Sequence, residues 1–158
     1  MRTVGFTGHR SLSPEETLQT AEALHSTVDL LISMGATDFY AGGALGFDTL
    51  AARAVLAAKN AGADVHLHLL LPFPGQDRRW GRGDKAMYRS ILESAASYEY
   101  FCEKYLPGVY HLRDRAIVER SETIVAFLSR RSGGTAYTVD LADSLGKEII
   151  NLADKIQR

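Results

Sequence analysis

Three short stretches of the chain combine glycine with a charged or hydroxyl side chain: Gly8-His9-Arg10, Gly42-Gly43-Ala44-Leu45-Gly46-Phe47-Asp48 and Ser132-Gly133-Gly134-Thr135. Glycine lets the backbone turn tightly and lets a ligand come close to bare N–H groups. A helix that starts straight after such a turn aims its positive dipole end and its unpaired N–H groups at the same spot. That combination holds an anion, most often a phosphate. Arg10 can fork onto a phosphate or carboxylate, or pair with Glu15 or Glu16 nearby in sequence. Asp48 can accept ribose hydroxyls or cap its own helix. Thr135 and Thr138 are either ligand contacts or helix-start hydroxyls.

Other polar residues are open to two readings. Arg113 and Arg115 lie on a helical stretch, where spacing alone makes them solvated. His66 and His68 alternate with leucines and share one face of a strand. Metal ligands use that spacing, but a structural role is expected. His9 and His111 stand beside candidate site residues. Trp80 with Phe73 either stacks on a base or anchors its loop. No Ser–His–Asp set, metal-binding helix motif or P-loop is present. The first turn lacks the spacing of the dinucleotide fingerprint, so a standard NAD site is not expected. No metal or cofactor is called for, and no catalytic residue is identifiable.

The elements that must position these residues alternate regularly. Thr3 to Thr7 reads as a first strand. Ser13-Pro14-Glu15-Glu16 is a capping box with proline in the first turn, opening a helix from about Pro14 to Met34 with apolar residues at helical spacing. A strand from Thr37 to Ala41 leads into the second glycine stretch, and a helix runs from Asp48 to about Asn60. Ala63 to Leu71 is a third strand, apolar enough for both its faces to be covered. Pro72 to Asp84, with prolines, glycines, Trp80 and three arginines, reads as a long loop or lid before a helix from Lys85 to Ala96. Then come a short strand at Tyr98 to Phe101, a helix from Tyr110 to Arg120, a buried strand at Thr123 to Leu128, a helix from Thr135 to Leu145 and a last strand at Glu148 to Leu152. Ala153 to Arg158 reads as a frayed tail. Strands alternating with helices predict a three-layer α/β/α sandwich around a mostly parallel sheet. In such sheets ligands sit beyond the carboxyl ends of the strands, where the strand order reverses.

With 158 residues, 46% hydrophobic and 23% charged, one domain spanning 1–158 with its own core is expected. A net charge of −1 gives no general attraction to nucleic acid or to an anionic membrane. Cys102 is the sole cysteine, which excludes an intrachain disulfide and a cysteine-based zinc site. Nothing resembles a signal peptide or a membrane span, so a cytoplasmic protein is expected, without a membrane partner and with self-association left open.

Taken in order, these motifs resemble the SLOG superfamily of modified Rossmann folds, most closely its YpsA-like branch. The resemblance covers nearly the whole chain. It rests on Thr7-Gly8-His9-Arg10, Gly42 through Asp48, Pro72-Phe73 with Gln76 and Trp80, Arg113-Asp114-Arg115, Thr123 to Phe127, and Gly133-Gly134-Thr135-Ala136-Tyr137-Thr138. It implies a Rossmann-like sheet of order 3-2-1-4-5-6 and a nucleotide or nucleotide-like ligand in the crevice. Arg10, Gly42-Gly43, Arg113 and Gly133-Gly134-Thr135 would bind it, with Gly8, His9, Asp48 and Thr138 beside them. Two positions depart from the pattern: Asp114 stands where asparagine is frequent, and Thr135 is not followed by the catalytic glutamate of the lonely-guy phosphoribohydrolases. Binding or sensing of a nucleotide-derived phosphorylated ligand is therefore the leading expectation. The alternative is a nucleoside-monophosphate phosphoribohydrolase or N-glycosidase. Single-stranded DNA, bound by the related DNA-processing protein A, is the least favoured partner.

Overall fold

The strands and helices alternate along the whole chain, as the hydrophobic patterning requires. The computed structural model describes residues 2–131 and 133–156. Strands β1 (Arg2–Gly8), β2 (Ala36–Ala41), β3 (His66–Leu71), β4 (Ser97–Tyr100), β5 (Thr123–Phe127) and β6 (Glu148–Asn151) alternate with helices α1 (Pro14–Ser33), α2 (Phe47–Asn60), α3 (Arg82–Ser94), α4 (Val109–Arg120) and α5 (Gly133–Ser144). All strand pairings are parallel. Phe6, Phe39, Leu69 and Phe127 face α1 and α2 in one core layer, while Ile124 and Ala126 meet Ile117 of α4 and Val139 of α5 in the other. The molecule is an α/β Rossmann-like sandwich.

The sheet order is 4-3-2-1-5-6. The fourth strand therefore lies on the outer edge against β3, and β5 takes the place beside β1 that the order 3-2-1-4-5-6 assigns to the fourth strand. Burial explains the placement. Every residue of β5 is buried, so it needs neighbours and helices on all sides, whereas every residue of β4 is exposed, as an edge strand tolerates. The reversal point still falls at β1, now between β1 and β5.

Local chemistry accounts for most boundaries. The capping box of α1 is complete: Ser13 Oγ accepts from the Glu16 N–H at 3.1 Å, and the Glu16 carboxylate accepts from the Ser13 N–H at 2.9 Å. Helix α3 starts at Arg82, inside the stretch expected to be loop, and α5 takes in Gly133 and Gly134. The end of the chain is more ordered than a frayed tail as far as Lys155. Leu152–Lys155 forms a 3-10 turn with Leu152 and Ala153 buried, capped by Asn151, whose side chain also bonds the Leu128 N–H and carbonyl. Gln157 and Arg158 lie outside the described residues.

His68 has a carboxylate partner from a neighbouring strand, distant in sequence. Its Nε2 lies 2.8 Å from Asp38 Oδ1 and its Nδ1 2.7 Å from Ser97 Oγ, so it ties β2, β3 and β4 together. Hydrogen bonds from the histidine and Thr37 outweigh partial burial and hold the Asp38 carboxyl below its ordinary value, although burial alone would raise it.

Candidate functional site in the crevice at the strand reversal

Beyond the carboxyl ends of β1, β2 and β5 lies a cavity of about 480 Å³, lined among others by Gly8, His9, Arg10, Asp48, Arg113, Gly133, Gly134 and Thr135. That volume suits a small organic ligand. Gly42, Gly43 and Thr138 stand behind the lining.

The second glycine stretch serves mainly to dock one turn on another. Gly46, at φ 74°, is the N-cap of α2, and the Phe47 N–H donates to the His9 carbonyl at 3.1 Å. A Cβ on Gly46 would stand 2.3 Å from the Arg10 carbonyl oxygen, and one on Gly8 would meet the Phe47 ring at 2.3 Å. This first N–H of α2 therefore points at the neighbouring turn. Asp48 is not the N-cap either: it lies in the first turn of α2, and its Oδ2 accepts from the Ala44 N–H at 3.2 Å. Gly43, at φ 71°, lies under the loop after β3, where its carbonyl accepts from Gln76 Nε2 at 3.2 Å.

Gly42 is small because Arg113 lies against it. A Cβ there would come within 2.7 Å of the guanidinium. Arg113 is 3% exposed; it donates to the carbonyls of Gly42 and Leu70 and, through Nε, to Asp114 at 2.7 Å. The Thr138 hydroxyl lies 2.8 Å from the Gly134 carbonyl oxygen and 3.3 Å from Oδ2 of the same aspartate, its one proton shared between the two acceptors. Arg113, Asp114 and Thr138 thus form a brace from α4 to α5 and to the β2 turn. Burial pushes the Asp48 carboxyl up to about 6, against the opposing pull of Arg113 and the Ala44 N–H.

His9 is also a wall residue. Its Nε2 accepts from the Ser129 N–H at 3.0 Å and the Arg130 N–H at 3.3 Å, which fixes the proton on Nδ1 in the neutral ring. Burial, then the charge of Arg130, lowers its pKa. Arg10 is exposed, its guanidinium 4.6 Å from the centroid of the Tyr110 ring. Tyr110 itself packs edge-on to Phe73. Neither Arg10 nor Arg130 is in an ion pair with a described residue. Opposite them α5 opens on Gly133-Gly134-Thr135, and a Cβ on either glycine would meet nothing within 4 Å. The loop after β3 is pinned by Gln76 to Tyr88 and by Trp80, edge-on to Tyr88 at 5.2 Å.

Besides Arg130, Tyr110 is a lining residue that the sequence did not single out. Its signal was the three-residue spacing to Arg113, which puts both on one face of α4. His111 also lines the cavity and packs on Tyr137 at 4.3 Å.

A parallel sheet with a charged crevice at its reversal point defines a Rossmann-like protein. The model of the YspA SLOG family (YpsA) matches residues 14–149, and the chain belongs to that family. It is 26% identical over 124 residues to the UPF0398 protein BH1768 of Halalkalibacterium halodurans, a match covering 77% of this chain and 66% of that one. The chain thus spans just under two thirds of that relative. Solved structures that share the fold include two of one protein. DNA processing protein A from Helicobacter pylori, described for its single-stranded DNA binding mode, has a TM-score of 0.65 at 20% identity over 94% of this chain and 63% of its own. The same protein from Streptococcus pneumoniae has a TM-score of 0.66 at 19% identity, over 94% of this chain and 49% of its own. The expectation that nucleic acid is an unlikely partner gains no support from these neighbours. No helix among the described residues is long and apolar enough to cross a membrane.

Proposed function

We propose that the crevice binds a nucleotide or nucleotide-derived phosphorylated ligand. The observation that carries this reading is the convergence of Arg10 and Arg130, both without an ion-pair partner among the described residues, with the glycine-rich start of α5 on one cavity of about 480 Å³. Two free guanidiniums and a helix N-terminus complement a phosphate. Tyr110, held under Arg10, offers an aromatic edge for a base or ribose. Gly42, Gly43 and Thr138 support the site from behind, and Arg113 chiefly holds its wall.

Native mass spectrometry of freshly purified protein is expected to show a retained phosphorylated species. A thermal-shift panel of nucleotides should contain at least one strong stabiliser. At a ligand concentration a hundredfold above Kd the gain is about 2.7 kcal/mol, or roughly 5–10 °C for a chain of this size. A panel that leaves the midpoint unmoved would contradict the proposal.

One observation favours a second reading, an N-glycosidase acting on a nucleoside monophosphate. Asp48 lines the cavity, is buried and has a pKa of about 6. An ionised carboxylate tuned to that value can take a proton from water as it adds to the ribose carbon; the carbon–nitrogen bond breaks with its electron pair on the base, which then takes that proton from Asp48. Release of free base from nucleoside monophosphates, lost in Asp48→Asn with ligand affinity kept, would support it. Absence of free base from every nucleotide tried would exclude it.

A further inference from the structure

Away from the crevice, the start of α3 and the residue before its N-cap form a second recess of about 400 Å³, lined by Trp80, Arg82, Lys85, Ala86 and Arg89. We propose that this recess binds single-stranded nucleic acid, with phosphates on Arg82, Lys85 and Arg89 and a base against Trp80.

Helical geometry sets up the surface. Positions 82, 85, 86 and 89 recur at the spacing that puts residues on one face of a helix. A rise of 1.5 Å per residue sets Lys85 and Arg89 about 6 Å apart along the axis. Ala86, small and between the cations, leaves a trough where a longer side chain would make a ridge. Arg82 and Arg89 are exposed and Lys85 is half-buried. None of the three is in an ion pair with a described residue, and no carboxylate lines the trough. Asp84 shares the first turn of α3 and Asp77 the preceding loop, but neither is part of the lining.

The indole decides between kinds of polyanion. Trp80 is half-buried, and its edge-on contact with Tyr88 fixes the ring in place. An acidic peptide would satisfy the cations and leave the indole idle. A duplex keeps its bases stacked inside. A single strand presents charged phosphates and free base faces together, and sequence-tolerant binding of single strands combines a cationic groove with aromatic platforms. With a net charge of −1 the chain has no general pull on nucleic acid, so attraction must be local to such a patch.

Trp80 is the only tryptophan, so its emission reports this recess alone. Titration of the full chain with an oligothymidylate of about a dozen nucleotides is expected to quench that emission saturably. Three neutralised phosphates predict a slope of about −2 for log affinity against log salt, or roughly twentyfold weaker binding from 50 to 200 mM. The triple variant Arg82→Ala, Lys85→Ala, Arg89→Ala should bind a labelled oligothymidylate at least about tenfold more weakly by anisotropy, with an unchanged melting temperature because these side chains lie on the surface. The variant Arg82→Lys, Arg89→Lys, which keeps the charge, should retain most of the affinity. Absence of quenching would overturn the proposal, as would equal affinity for duplex DNA or equal competition by polyglutamate. Binding that survives the triple variant but is lost in Arg10→Ala would also overturn it, by placing the nucleic acid in the crevice.

Discussion

Asp48 lies beside a buried arginine, yet its carboxyl titrates near 6 instead of 3.8, because burial costs the anion more than Arg113 and the Ala44 N–H return. The folded state therefore holds this proton more tightly than the unfolded chain does. Its contribution to stability is complete below about pH 4 and is lost as the pH rises through 6. A shift of this size corresponds to about 3 kcal/mol at most. Asp48→Asn abolishes the titration, so its stability relative to the parent should rise between pH 4 and pH 8 by up to that amount. Denaturant unfolding at the two pH values measures this, and a constant difference would contradict it. Arg113 makes a separate prediction. Arg113→Ala leaves the half-buried Asp114 and the buried Gly42 carbonyl without their donor, and a loss of about 1–3 kcal/mol is expected in the same assay; a loss well below about 1 kcal/mol would show that the brace is loose.

Among the elements, α1 was legible in the sequence because its signals are local. A capping box, a first-turn proline and a helical apolar stripe all lie within one run of residues, and Ser13→Ala should cost about 1 kcal/mol, a fall of roughly 2–4 °C in melting temperature. The start of α2 was less legible. Asp48 has the composition of a cap, but Gly46 takes that position because the His9 carbonyl, far away in sequence, receives the Phe47 N–H. The seat of the fourth strand was not legible either, since its neighbour is chosen by which edge remains after β5 has claimed full burial. The Gly42-Gly43 turn looked like an anion cradle and instead closes on Arg113 and Gln76. Gly42→Ala should displace the Arg113 guanidinium and cost about 1–3 kcal/mol, whereas Gly134→Ala meets open space and should change stability by no more than about 0.5 kcal/mol.

For the molecule as a whole, the strand order reverses at β1 and brings the turns after β1 and β5 to one crevice, with Ala44 and Asp48 of the second glycine stretch beside them. That convergence follows from alternation of strands and helices and was readable from the chain. What alternation does not show is the division of labour: His9, Arg113 and Thr138 form walls, and Arg10 and Arg130 have no ion-pair partner among the described residues. The most direct test of that division is calorimetric titration of nucleoside monophosphates and related phosphorylated nucleotides into the parent and into Arg10→Ala. The account predicts saturable micromolar binding to the parent. It also predicts an affinity lower by about 1.5–3 kcal/mol, roughly tenfold to a hundredfold, in the variant, whose melting temperature without ligand is unchanged. Absence of binding to the parent by any of these ligands, or an affinity that Arg10→Ala leaves intact, would contradict it.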